Sequence, residues 1–272
     1  MSFYYTIIPQ AKLPRNMISG FTYASRERHV RGEVVSVEFR KKKVLGLVLQ
    51  ETPRVLEESV EIKPILDSVT HLPPCYVTLI EWMSQYYCTS RANIWSLFSP
   101  PLLLVHGYTK YTHNAKNLPH APLKPRSIFT GKLTAAEKID LTARLIEDTQ
   151  NQKQSVLVLT PKNAILSAFT HMLQNTLHDT MHVVTGSLHK NKTRYTKLWH
   201  ECLTHRTQIV IGTRSAIFLP LGNIGRIVIV HGESDDFKQY DQNPRYDART
   251  IARKLSQFAG IPLTFFCDGA ML

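Results

Sequence analysis

Apolar runs that alternate with helical segments dominate the second half of the chain, and this alternation constrains the fold more than any other feature. The spacing of apolar residues predicts helices over 135–150, 163–177, 192–204 and 247–260. Between and after these helices lie the runs SVLVLTP, MHVVTG, QIVIG, RIVIV and PLTFFC. Uniformly apolar strands joined by helices are typical of a parallel sheet that is covered on both faces. The residues therefore predict an α/β domain with one parallel sheet.

The beginning of the chain has a different pattern. The runs YYTIIP, GEVVSVEF and KVLGLVLQ are rich in Val, Ile, Tyr and Phe, which predicts a small β-rich domain. Helical spacing follows over 76–88. A second short helix is predicted over 91–98, because Pro100 and Pro101 cannot continue it.

A polar and basic stretch over 104–126 separates these two patterns. It contains Pro119, Pro122 and Pro125, which is typical of a linker. A chain of 272 residues is long enough for two domains of about 100–200 residues each. We therefore predict an N-terminal domain over 1–103, a linker over 104–126 and a second domain over 127–272.

The charge balance indicates a polyanionic partner. The formal net charge is +12, which favours nucleic acid before a membrane surface; a merely basic globular protein is the alternative. No apolar run is long enough for a transmembrane helix, and the N-terminus lacks the pattern of a secretory signal. The four cysteines form no CxxC pair and the histidines form no HExxH motif, so no metal site is predicted. Scattered cysteines favour a reducing cytoplasm.

The ordered motifs resemble one family. The N-terminal series is GFTY, GEVVSVEFRKKKVLGLVL, EIKPILD, EWMSQYYC and SPPLLL. The later series is VLVLTPKNAIL, VVTGSLHKNKTRYTKLW, IVIGTRSAIFLPLGNIGRIVIV, FKQYDQNPRYDAR and PLTFF. Together they resemble the primosomal protein N′ (PriA) family of replication-restart helicases. The resemblance implies a domain that binds the 3′ end of a DNA strand, followed by one RecA-like helicase lobe.

The resemblance also implies where DNA binds. It places Phe21, Thr22, Tyr23, Arg40 and Lys63 near the pocket for the 3′-terminal nucleotide. Two positions depart from the family pattern, because Thr22 replaces an aspartate and Arg40 replaces a glycine, so end recognition is expected to differ. An aromatic ring can stack on a base, whereas the alternative is that Phe21 and Tyr23 are core residues of a small barrel.

Two other segments are candidate contacts with the DNA backbone. Arg40, Lys41, Lys42 and Lys43 form a basic cluster for phosphates, with a solvated hairpin turn as the alternative. Gly212-Thr213-Arg214-Ser215 resembles the loop with which helicase lobes grip one strand, and Thr213 and Arg214 are the predicted contacts. Arg245 and Arg249 are expected to be structural and to pair with the acidic loop that follows the strand RIVIV.

The nucleotide-binding motif of the family is degenerate in this chain. A phosphate loop needs G-x-x-x-x-G-K-[ST], because glycine N–H groups surround the phosphates and the hydroxyl holds magnesium. Counting back from Thr160 places Lys138 at the lysine position, without the glycines and with Ile139 in place of the hydroxyl residue. Thr134 and Glu137 instead form the pattern of a helix capping box. A gapped register that uses Gly131 and Lys132 also fails.

The acidic motif is degenerate as well. The family carries Asp-Glu-Glu-His after this strand, whereas the chain reads Val230-His231-Gly232-Glu233. Glu233 could take the third position through a one-residue gap, but nothing supplies the leading aspartate for magnesium. Replacement by Asp235 or Asp236 requires a shifted loop. Intact family members use ATP and magnesium, but no cofactor is expected for this chain.

The leading functional hypothesis is a DNA-binding accessory in replication restart that recognises 3′-ended single-stranded or forked DNA without ATP hydrolysis. The chain is expected to be a shortened family member, without the winged-helix domain, the second lobe and its zinc-binding cysteines. One alternative is a residual or partner-completed ATP-dependent helicase. Another is an interaction scaffold of the primosome. Single-stranded-DNA-binding protein and other primosome proteins are expected partners, and the expected location is the cytoplasm near the nucleoid.

Overall fold

The chain forms two compact units, residues 1–115 and 116–272. The computed structural model describes residues 2–17, 19–53, 62–101, 127–131, 133–176, 181–204 and 208–268. The predicted linker over 104–126 lies outside the described residues. No helix in these described ranges is long and apolar enough to cross a membrane.

The first unit contains a five-stranded antiparallel sheet. Its order is β2-β1-β4-β3-β5. The two outer strands also approach each other, since the backbone N–H of Ala24 donates to the Lys63 carbonyl at 3.0 Å and Ala24 bridges Pro64. The strands are β1 (Phe3–Pro9), β2 (Phe21–Ser25), β3 (Glu33–Phe39), β4 (Lys42–Glu51) and β5 (Ile65–His71).

The core of this unit follows from strand alternation, because every second side chain of a strand points to the same face. One cluster of buried side chains contains Tyr5, Ile7, Tyr23, Val35, Val37 and Val48. Two helices follow the sheet, α1 (Pro74–Tyr86) and α2 (Arg91–Phe98). Pro74 suits the first turn of α1, where its missing N–H costs no hydrogen bond, and the Ser90 side chain caps α2.

The second unit contains a six-stranded sheet in which every pair of neighbouring strands is parallel. Its order is β6-β11-β10-β7-β9-β8. The strands β7, β9 and β11 are buried along their whole length. The strands are β6 (Ser127–Gly131), β7 (Ser155–Leu159), β8 (Met181–Val184), β9 (Ile209–Gly212), β10 (Ile224–Val230) and β11 (Leu263–Cys267).

Helices cover both faces of this sheet. Residues of α3 and α4 share one core cluster with alternate residues of the strands, including Phe266. On the opposite face, Arg253 of α7 lies over the ring of Phe265, 5.0 Å from its centroid. The helices are α3 (Ala135–Asn151), α4 (Asn163–Thr176), α5 (Gly186–Lys190), α6 (Lys192–Thr204) and α7 (Ala248–Ala259). The predicted fold class, a β-rich first domain followed by a parallel α/β domain, is confirmed.

Helix ends agree with the predicted ends to within a residue or two. Helix α7 begins where the Asp247 side chain accepts a hydrogen bond from the Arg249 N–H and ends at Gly260, whose φ of 66° suits glycine. The first helix is the main difference, because α1 begins at Pro74 rather than at residue 76. The strands β2, β5 and β6 and the short helix α5 were not predicted.

Candidate nucleic-acid interface

The turn between β3 and β4 presents a run of exposed cations. Residues 40–43, named the basic hairpin below, are all exposed. Phe39 pairs with Lys42, and the two turn residues Arg40 and Lys41 have φ values of 50° and 60°. Two successive left-handed residues are the geometry of a type I′ turn, which matches the twist of the flanking strands. The turn therefore holds these charges at the tip of a regular hairpin.

Phe21 lies beside this hairpin. Its half-buried ring packs on Phe39 with centroids 5.0 Å apart, and the Arg40 guanidinium lies 5.3 Å from the Phe39 ring centroid. Thr22, the next residue along β2, is also half-buried. An aromatic ring flanked by cations is a suitable surface for a nucleotide, since bases stack on rings and phosphates pair with cations.

Tyr23 does not share this exposure. Its side chain belongs to the core and is only 3% exposed. The hydroxyl donates to the Glu38 carbonyl at 3.0 Å, and burial raises the pKa of Tyr23 to about 12. The prediction that Tyr23 offers a stacking ring is wrong for this structure, because no base could reach the ring without opening the core.

Lys63, the other predicted DNA contact of this unit, has an acidic partner that the sequence did not reveal. Its ammonium pairs with the Glu38 carboxylate, and both side chains are close to half exposed. Glu38 therefore competes with a phosphate for the predicted DNA contact. Lys43, at the other end of the basic hairpin, pairs with Asp67 at 3.0 Å.

The Gly-Thr-Arg-Ser loop of the second unit follows β9. Gly212 has to be glycine, because a Cβ there would lie 2.6 Å from the Ala216 Cβ and 2.8 Å from the Val184 carbonyl oxygen. Thr213 is half-buried. The Nη1 of Arg214 donates to the carbonyl oxygens of Asp236 and Lys238, at 3.1 and 3.3 Å. A phosphate contact by Arg214 stays a prediction and has to be made by other atoms of its guanidinium.

The acidic loop after β10 is held by a second arginine. The Nη1 of Arg249 donates to the Gly232 carbonyl at 2.9 Å, and its Nη2 pairs with Asp247 at 2.7 Å. This pairing raises the pKa of Arg249, and the pKa of Asp247 is lowered by the same hydrogen bonds against the opposing effect of burial. The expected structural role of Arg249 is confirmed, although it contacts a carbonyl of the loop rather than a carboxylate.

The start of α3 is closed by its own side chains. Glu137 N–H donates to the Thr134 hydroxyl at 3.2 Å, and Thr134 N–H donates to the Glu137 carboxylate at 2.7 Å, which is the predicted capping box. The hydrogen bond from the Thr134 backbone lowers the pKa of Glu137. The next residue, Lys138, is buried.

Four charged or titratable side chains meet at the carboxyl ends of three neighbouring strands. Lys138 pairs with Asp268, and Asp268 Oδ2 lies 3.0 Å from His231 Nδ1. Glu233 lies 3.4 Å from the same His231 nitrogen. The Lys138 hydrogen bond is the main cause of a lowered pKa of Asp268. Lys138, His231, Glu233 and Asp268 are named the strand-end cluster below.

Three members of the strand-end cluster have the donor types of a metal site. Ligand atoms of His231, Glu233 and Asp268 lie within 4.8 Å of one another. Asp268 is already paired with the Lys138 ammonium, however, and that positive charge repels a cation. The charges therefore favour an internal ion network over a metal centre.

Known proteins resemble the chain in both units. Residues 11–100 match the family model of the PriA 3′ DNA-binding domain. The replication restart protein PriA of Helicobacter pylori strain J99 is 29% identical over 267 residues, which cover 93% of this chain and 41% of that protein. The chain is PriA-like. The PriA resemblance found in the sequence motifs is thereby confirmed.

Other PriA proteins match over shorter stretches. The PriA of Synechocystis is 33% identical over 131 residues, 48% of this chain and 16% of that protein. The PriA of Rickettsia typhi is 26% identical over 238 residues, 81% of this chain and 36% of that protein. The chain thus spans less than half the length of these PriA relatives.

Among solved structures, the DEAD-box helicase Mss116 bound to ssRNA and UDP-BeF has a TM-score of 0.40 and 12% identity to this chain. The likeness covers 54% of this chain and 28% of that one. The fold of this PriA-like chain is assigned from the order and direction of its own strands.

Proposed function

We propose that the chain binds DNA as an accessory in replication restart and recognises 3′-ended single-stranded or forked DNA. The observation that carries this proposal is the match of residues 11–100 to the PriA 3′ DNA-binding domain. Within those residues, Phe21 packs on Phe39 beside the Arg40 guanidinium, and Lys63 pairs with Glu38, the residue before Phe39. We propose that this ring and these two cations contact the terminal nucleotide.

Charge supports the same role. The formal net charge is +12, and the basic hairpin concentrates four cations on one exposed turn. Cations that neutralise phosphates release counterions, which provides a sequence-independent contribution to affinity. We propose contacts by Arg40, Lys41 and Lys42 with the DNA backbone, and by Thr213 and Arg214 in the second unit.

We further propose that the second unit does not hydrolyse ATP. The residues present do not fit a nucleoside triphosphate with magnesium. The capping box uses backbone N–H groups that a phosphate would need, Lys138 is paired with Asp268, and His231 stands at the end of β10 where a magnesium-binding carboxylate is required. Single-stranded-DNA-binding protein and other primosome proteins are the proposed partners, and the proposed location is with the nucleoid.

The test compares two single-stranded DNAs that differ only at the 3′ end, one with a free hydroxyl and one blocked by a bulky group. Phe21→Ala is expected to weaken binding of the free end by about 1–3 kcal/mol, the usual contribution of base–aromatic stacking, and to leave binding of the blocked end nearly unchanged. Fluorescence anisotropy measures both affinities.

Tyr23→Phe is the control, because it removes only the buried hydroxyl and is expected to bind both DNAs like the parent. If Phe21 is instead a core residue, its replacement lowers the unfolding free energy by about 3–5 kcal/mol and weakens both DNAs equally. Equal losses with a lowered melting temperature would overturn the 3′-end pocket.

A further inference from the structure

Lys138 is a lysine ammonium in an unusual environment. Its side chain is 4% exposed although it belongs to the first turn of α3. Lysine is almost never this buried unless its charge is paired, since burying an isolated charge is costly. The pairing carboxylate is Asp268, which lies 130 residues further along the chain, directly after β11.

Asp268 is itself held in place. Its second carboxylate oxygen lies 3.0 Å from His231 Nδ1, and its backbone N–H donates to the Glu233 carboxylate at 3.3 Å. The loops after β10 and β11 are joined again by a hydrogen bond of 2.9 Å from Gly232 N–H to the Phe266 carbonyl. The Asp268 carboxylate therefore has two partners, Lys138 and His231, and its backbone is tied to the loop after β10, although the side chain is 46% exposed.

The strand-end cluster lies where parallel sheets bind ligands, so the pairing of Lys138 with Asp268 bears on ligand binding. The strands β6, β11 and β10 are neighbours, and the cluster lies at their carboxyl ends. Ligands of parallel α/β sheets bind outside this edge, and the start of a helix there attracts anions. In this chain the anion that meets the helix-start lysine is a side chain of the protein.

We propose that Asp268 acts as an internal anion that occupies the position of an external phosphate at Lys138 and so closes this crevice to polyphosphate ligands. The contact is autoinhibitory, because it neutralises the ammonium that would attract such a ligand. The inference rests on the proposed absence of ATP hydrolysis and gives it a physical cause beyond the missing motif residues. One carboxylate, that of Asp268, then accounts for the exclusion of polyphosphate ligands, and a single substitution can remove it.

The experiment measures the response of the melting temperature to inorganic pyrophosphate in four variants of the full chain, with sodium chloride of equal ionic strength as the reference. They are the parent, Asp268→Asn, the double variant Asp268→Asn/Lys138→Met, and Asp140→Asn. The last is the matched control, because Asp140 also belongs to α3 but pairs with Arg144 on the surface, with both side chains more than half exposed.

The parent and Asp140→Asn are expected to show no response beyond that to sodium chloride. Asp268→Asn is expected to melt at a lower temperature without ligand and to gain a saturable rise of several degrees with pyrophosphate. That rise is expected to disappear in the double variant, because it depends on the freed ammonium. Isothermal titration calorimetry provides the corresponding affinities.

If Asp268→Asn folds only in the presence of pyrophosphate, the proposal is supported. If Asp268→Asn folds neither with nor without pyrophosphate, His231→Asn replaces it in the experiment. This substitution removes one partner of Asp268, and asparagine tolerates the φ of 56° at residue 231. His231→Asn is then expected to gain a smaller pyrophosphate response.

Two outcomes would contradict the proposal, and they have different consequences for the proposed function. A folded Asp268→Asn (or His231→Asn in its place) without a pyrophosphate response overturns the internal anion but leaves the proposed DNA-binding function standing. A pyrophosphate-dependent rise in the melting temperature of the parent, beyond that with sodium chloride, overturns the closed crevice and also the proposed loss of nucleotide binding.

Discussion

Phe21 and Tyr23 lie two residues apart on β2 and therefore on the same face of the strand, yet only Phe21 is accessible. Strand alternation could have revealed their common face from the sequence. It could not reveal which ring the sheet covers, because that depends on Val35, Val37 and Val48, which come from other strands. Burial makes Tyr23 a structural residue and leaves Phe21 as the ring that a base could meet.

Glu38 offers a direct test of the candidate site. Glu38→Gln removes the carboxylate that pairs with Lys63 and is expected to raise the affinity for single-stranded DNA about 1.4- to fivefold, because exposed ion pairs contribute about 0.2–1 kcal/mol. Anisotropy at low salt measures the change.

The control is Glu81→Gln, which causes the same change of net charge but lies on α1 and pairs with Arg31. It is expected to alter affinity less than Glu38→Gln. Equal gains in the two variants would mean that net charge alone acts and that Lys63 has no particular role in binding.

At the level of elements, periodic helices and uniformly apolar strands are predictable from the sequence, and strands that mix polar with apolar residues are not. Apolar residues recur at helical spacing along the whole of α3, so its predicted ends agree closely with the observed ones. β2 (FTYAS), β6 (SIFTG) and β5 (ILDSVTH) each carry polar residues among their apolar ones. These strands depend on pairing with distant partners, which a local pattern does not contain.

The basic hairpin allows a test that preserves its backbone. Arg40→Asn, Lys41→Gly and Lys42→Gln together remove three charges, while Asn-Gly is the preferred pair for a type I′ turn. The slope of log affinity against log salt on single strands is expected to become shallower by about two units, from roughly 0.7 per neutralised phosphate. The melting temperature is expected not to fall.

Three exposed lysines of the second unit, Lys162, Lys190 and Lys192, form the control when changed to Gln. These three substitutions are expected to change the salt slope less than the three hairpin substitutions do. An unchanged slope in the hairpin variant would place the principal phosphate contacts elsewhere and favour an interaction scaffold.

At the scale of the whole molecule, the strand-end cluster shows why part of the site could not be predicted. Lys138 and Glu233 were recognised as positions of degenerate motifs, but their relation to Asp268 depends on β11 lying between β6 and β10. The βα alternation predicts a parallel sheet without giving the order of its strands. The positions of Phe21, Arg40 and Lys63, in contrast, were indicated by the family resemblance.

The two units therefore contribute differently to the account. The first carries the ring and cations of the proposed DNA site. The second has a six-stranded parallel sheet, and side chains of the protein pair with one another at the carboxyl ends of β10 and β11. The central claim is that the whole chain binds DNA ends without using ATP.

The most direct measurement of that claim is one fluorescence titration with 3′-recessed, 5′-recessed and forked DNA, with and without ATP and magnesium, together with phosphate release in the same samples. We expect the tightest binding to DNAs with an accessible 3′ end, affinities unchanged by ATP, and no DNA-stimulated phosphate release. Equal affinity for all three DNAs, or phosphate release that Lys138→Ala abolishes, would contradict the account.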